Sequence, residues 1–120
     1  MGLDSYIYSI PKSIIPDLEY FDGDEDKVCP CYWNYAIEHV YLRKDWDFHE
    51  FMFDLYKQKG GTLTSSEFNG ICVRLTLEDI TLIEEKYKDK EIYDDIQKGL
   101  ASVKCLVQIE GLAVYYDSSW

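Results

Sequence analysis

Apolar and polar positions change period several times along the 120-residue chain, and each change marks an element. Ser5-Tyr6-Ile7-Tyr8-Ser9-Ile10 is rich in β-branched and aromatic side chains and stops at Pro11, so it predicts a first strand. Pro11 and Pro16 frame a loop, and from Asp17 to Asp26 six acids gather around Gly23, which predicts an exposed acidic loop. Asn34 can cap a helix running to about Lys44, with Trp33, Ile37, Val40 and Tyr41 on one stripe and Arg43-Lys44 in its last turn. Asp45 or Asp47 caps a second helix that stops at Gly60-Gly61. Phe48, Phe51, Met52 and Leu55 recur at i, i+3, i+4 and i+7 and form its inward face, whereas Trp46, Phe53 and Tyr56 are expected off that face.

After Gly70, Ile71, Val73 and Leu75 alternate with Cys72 and Arg74, the period of a strand. Thr76 and Asp79 form a capping box for a helix with Ile80, Ile83 and Tyr87 inward. A further helix over about Lys90 to Val103 carries Ile92, Ile96, Leu100 and Val103, with Gly99 as a weakening residue. Lys104 to Ile109 and Leu112 to Tyr116 flank Glu110-Gly111, which predicts a two-residue hairpin. The element order is β-α-α-β-α-α-β-β. It implies one α+β domain over residues 1–120, a small, mainly antiparallel sheet with a C-terminal β-hairpin, packed with about four helices.

Composition sharpens this picture. The chain holds 23 Asp plus Glu against 12 Lys plus Arg, a net charge of −11, together with 3 Trp, 11 Tyr and 5 Phe. Disordered acidic tails are poor in aromatics because they lack the apolar surface that offsets the entropy of ordering, so a folded acidic domain is expected. Such a surface repels phosphate backbones and attracts basic partners. No apolar run approaches the roughly 18–20 residues of a membrane span. Met1-Gly2-Leu3-Asp4 does not open like a secretion signal, and Tyr6 stands where a myristoylation pattern needs Ser or Thr. The expectation is a cytoplasmic protein with no membrane contact. Cys29, Cys31, Cys72 and Cys105 make no disulfide framework; Cys72 and Cys105 lie in apolar, strand-like runs and read as small hydrophobes.

Motifs that carry chemistry are scarce. A calcium loop starting at Asp22 would place Lys27 at position 6 and Trp33 at position 12, where Gly and Glu are needed. Cys29-Pro30-Cys31 with His39 and His49 lacks zinc-finger spacing, and packed side chains are the better reading. Gly60-Gly61 follows a helix, whereas phosphate loops precede one. Arg43-Lys44 is the only adjacent basic pair, so direct nucleic-acid binding is not expected. No catalytic residue, metal or cofactor is assigned, and binding is expected rather than turnover.

The window from Asp17 to Asp54 holds eleven acids and three bases, −8 of the total −11. Asp47, Glu50 and Asp54 recur at i, i+3 and i+7 and form an acidic helix edge. The candidate binding surface therefore uses Asp22, Asp24, Glu25, Asp26, Asp47, Glu50 and Asp54 to steer and pair with Lys or Arg. Trp46, Phe53 and Tyr56 supply its desolvated centre. Carboxylates so spaced can also imitate nucleic-acid phosphates and occupy a basic groove.

Met1-Gly2-Leu3-Asp4-Ser5-Tyr6-Ile7, with Tyr32-Trp33-Asn34-Tyr35-Ala36-Ile37 later, resembles small bacteriophage-encoded proteins that open Met-Gly-Leu-Asp-x-Tyr and carry a Tyr-Trp-Arg-Lys-Ala helix. Asn34-Tyr35 replaces the basic pair of that pattern, and the acidic loop lies outside it. The resemblance implies origin in a phage genome and an accessory protein that binds and inhibits or redirects a host protein, such as a nucleic-acid-handling or defence protein. It transfers no activity to any residue. One alternative is a small enzyme or ligand-binding domain with a Tyr/His/Cys site, which a deep pocket would favour. Another is a self-associating structural protein that forms a homodimer through spare aromatics or the Tyr115-Tyr116 strand edge.

Overall fold

The first strand, β1 (Asp4–Pro11), lies inside the sheet of the computed structural model, which describes residues 2–15, 18–22 and 32–120. The other elements are β2 (Tyr20–Asp22), a 3₁₀ turn (Tyr32–Tyr35), β3 (Ile37–Arg43), α1 (Trp46–Gln58), β4 (Ile71–Arg74), α2 (Leu77–Tyr87), α3 (Tyr93–Leu106) and β5 (Leu112–Ser119). The strands form one sheet in the order β2-β4-β5-β1-β3, and every pairing is antiparallel. The α+β class and the antiparallel sheet agree with the sequence expectation, with three α-helices among the described residues.

The helices cover one face of the sheet. Ile7, Val40, Leu42, Ile71, Val73, Val114 and Tyr116 meet Phe48, Met52, Leu55 and Tyr56 of α1, Ile80, Ile83 and Tyr87 of α2, and Ile96, Leu100 and Val103 of α3. Burial of that much apolar surface is the main favourable term in the fold. On the other face Tyr8, Ile10, Phe21, Cys72, Ala113 and Tyr115 are covered by Ile14, Ile15, Leu18 and Ala36. Coverage on both sides explains why Ala113 to Ser118 of β5, flanked by β1 and β4, are all buried.

Local chemistry sets the helix ends as expected. The Asp45 carboxylate caps α1 by accepting from Phe48 N at 2.9 Å, and Gly60 ends it with φ +102°. Thr76 and Asp79 make the reciprocal capping box of α2, with bonds of 3.2 and 2.9 Å.

Three expectations are corrected. The segment read as a helix from Asn34 is the 3₁₀ turn followed by strand β3. Ile7 faces Val40 and Tyr8 faces Glu38, which leaves His39 as the extra residue of a β-bulge. The residues expected on one helical stripe do not share a face of the strand: Val40 is buried, whereas Ile37 and Tyr41 are exposed. The C-terminal hairpin is instead a helix-to-strand turn: residues 104–106 close α3, because Val103 and Val107 prolong its apolar stripe into the core. Gly111 does take the positive φ, +90°, and leads into β5. Cys105 consequently lies on an exposed helical position, while Cys72 is buried in β4 as expected.

Candidate functional site

Beside the exposed side of α1 runs an open groove of about 500 Å³. One wall is a helical stripe, Trp46, His49, Glu50, Phe53 and Asp54; Ser65, Ser66 and Trp120 form the other. The helix supplies its wall because residues at i, i+4 and i+8 stack along one face. The opposite wall is fixed by hydrogen bonds. Trp120 donates its backbone N–H to Asn69 Oδ1 at 3.0 Å and its indole N–H to the Phe68 carbonyl at 3.0 Å, and its carbonyl accepts from Asn69 Nδ2 at 2.6 Å. Glu67 Oε1 accepts from the backbone N–H and the hydroxyl of Thr64, which closes the turn carrying Ser65 and Ser66.

Three rings meet at one end of the groove. Trp46 and Trp120 lie 5.4 Å apart at 72°, Trp46 and His49 5.8 Å apart at 86°, and His49 and Trp120 6.2 Å apart at 79°. These edge-to-face contacts make a right-angled aromatic corner. Trp46 remains 47% exposed, whereas His49 is only 6% exposed and forms the floor. His49 Nδ1 is 2.7 Å from Tyr116 Oη, which is also 3.0 Å from Ser5 Oγ, so a buried polar chain runs beneath the corner into the sheet. Burial pushes the His49 pKa below its ordinary value, and the Phe68 backbone opposes this weakly. That carbonyl already accepts the Trp120 indole, and His49 Nε2 makes no hydrogen bond of proper geometry. The same burial pushes the Tyr116 hydroxyl well above the usual phenol range.

The expected binding residues separate into groups. Trp46, Glu50, Phe53 and Asp54 come together in the groove. Among the described residues neither Glu50 nor Asp54 enters an ion pair. Asp47 lies on the same helix but its carboxylate accepts from Tyr87 Oη at 2.9 Å, so it ties α1 to α2. Tyr56 is corrected: it is 1% exposed, and its hydroxyl accepts from the backbone N–H groups of Thr62 and Leu63. Its ring lies so close to Gly61 that a Cβ there would come within 2.2 Å of it. Asp22, at the end of β2, lines a second groove of about 570 Å³ with Tyr20, Lys59 and Leu63. Asp24, Glu25 and Asp26 lie outside the described residues, as do Cys29 and Cys31.

Sequence reasoning did not place Trp120, Ser65, Ser66 or His49 at this site. Trp46 and Trp120 are 74 positions apart, and no local period links them. His39 and His49 sit on β3 and α1 with separate partners, Ser9 Oγ for the first and Tyr116 Oη for the second. Among the described residues no three His, Cys, Asp or Glu side chains converge to hold a metal, and no helix is long and apolar enough to cross a membrane.

An acidic groove with an aromatic end suits a cation carried on an apolar stem: carboxylates pair with the charge, and indole faces attract it through their quadrupole. Comparison of the chain with protein-family models, curated proteins and solved structures finds no match.

Proposed function

We propose that this protein works by stoichiometric binding, using the groove on α1 to capture a basic segment of a partner protein. The carrying observation is that Glu50 and Asp54, free of ion pairs among the described residues, line one open groove together with the Trp46–Trp120 corner. The aromatic rings provide desolvated contact area, and the carboxylates provide steering and pairing. With the phage-type opening Met1-Gly2-Leu3-Asp4-Ser5-Tyr6, the reading extends to an accessory protein that occupies the basic surface of a host protein in the host cytoplasm and so inhibits or redirects it. A nucleic-acid-handling protein is a fitting target, since its basic groove is complementary to spaced carboxylates.

Binding is preferred over catalysis because the polar chain beneath the groove is closed: Ser5 is 1% exposed and Tyr116 0%. Affinity capture from bacterial lysate, washed at low and at high salt, tests the reading. A single basic protein should be retained stoichiometrically in the weak wash and released in the strong one, because exposed charge pairs are screened beyond about 10 Å at roughly 0.1 M salt. Retention of nothing under either wash would remove the binding reading.

A further inference from the structure

We infer that the groove on α1 recognises one arginine side chain of its partner, selecting a guanidinium over an ammonium group; the inference rests on the basic-partner reading above. The shape of the site argues for it. Trp46 presents an exposed indole at 72° to Trp120, and the Trp120 indole N–H is spent on the Phe68 carbonyl, so Trp120 offers its ring and not a donor. A planar, weakly hydrated guanidinium stacks on an indole face, whereas a compact ammonium holds its hydration shell more tightly.

The acceptors fit the same group. Glu50, one helical turn from Trp46, and Asp54, a further turn along α1, line the same groove, and a guanidinium has five N–H donors in a fixed fork to meet a carboxylate there. Beneath the corner, His49 Nε2 is buried without a hydrogen-bond partner among the described residues. Phe53, the remaining aromatic of the wall, already carries the chain's own Lys57 ammonium 5.6 Å from its ring centroid. The incoming cation is therefore left the Trp corner.

The test is an NMR titration of the full chain with short glycine–serine peptides that carry one central arginine, lysine or citrulline, read at the indole N–H signals. The arginine peptide should shift the Trp46 and Trp120 signals and bind about 3- to 30-fold more tightly than the lysine peptide, the range of a desolvated cation–π contact. Citrulline, isosteric but neutral, should cause no shift. Glu50→Gln with Asp54→Asn, both at exposed positions, should abolish the arginine response while the spectrum stays dispersed. Equal binding of arginine and lysine peptides overturns the inference and leaves the basic-partner reading standing. The same holds if no peptide binds but the protein is retained on immobilised polylysine in a salt-sensitive way. Failure on both counts overturns the inference and the reading together.

Discussion

Individual side chains divide cleanly into those that hold the groove and those free to use it. Asp47 illustrates the first kind: it looks like part of an acidic edge with Glu50 and Asp54, yet its carboxylate is engaged by Tyr87 Oη. Burial, followed by that hydrogen bond to Asp47, drives the Tyr87 hydroxyl far above the phenol range. His49 is of the same kind, a neutral imidazole under the aromatic corner. Its pKa is lowered by burial, and so is that of His39 in the β3 bulge. The unfolded chain takes up a proton on each histidine near pH 6.5, while the folded state resists it. Stability should therefore be flat above about pH 6.5 and fall as the pH drops below it, by about 1.4 kcal/mol for each unit by which a folded pKa is lowered. Thermal melts between about pH 7.5 and 5.5 would read this fall, and His49→Phe should flatten much of it. An equally steep fall in that variant would place the acid sensitivity elsewhere.

At the scale of elements, the closest constraint lies between α3 and β3. A Cβ on Gly99 would stand 2.2 Å from the His39 carbonyl oxygen, a backbone atom that cannot rotate away. Gly99 looks like a weak point in a helix, but its missing side chain lets α3 lie directly on the bulge. Gly99→Ala should therefore destabilise the protein by about 1–3 kcal/mol despite the better helix propensity of Ala. That corresponds to a fall of at least roughly 4 °C in Tm; an unchanged or raised Tm would show that the contact relaxes freely.

The same region shows what the sequence reveals of the elements and what it conceals. The apolar stripe of Phe48, Met52 and Leu55 and the Thr76–Asp79 box are local signals, and α1 and α2 follow from them directly. The β3 strand is concealed because its bulge breaks the period of two. The expected hairpin fails because Val103 and Val107 belong to a helical stripe that continues past Lys104. Half of the groove was readable from α1 alone. The other half, Trp120 and the Ser65–Ser66 turn, is joined to it by contacts across most of the chain, which no local period encodes.

Over the whole molecule, β5 is the central strand, so Tyr115 and Tyr116 are core residues and not a free edge. A homodimer through that strand is closed off by its neighbours β1 and β4. The C-terminal segment has a different part: it carries Trp120 across to α1 and completes the groove. The net charge of −11 gives the molecule a long-range attraction for basic groups, and on the proposed reading the groove on α1 is where a partner would seat.

The most direct test is the dissociation constant of the captured partner for the native chain and for Glu50→Lys with Asp54→Lys, with Tm measured in parallel. The paired reversal should weaken binding by roughly tenfold or more while Tm is held, since both positions are exposed and outside the core. Equal affinity at equal Tm would contradict the central claim, that the acidic aromatic groove on α1 is where the partner binds.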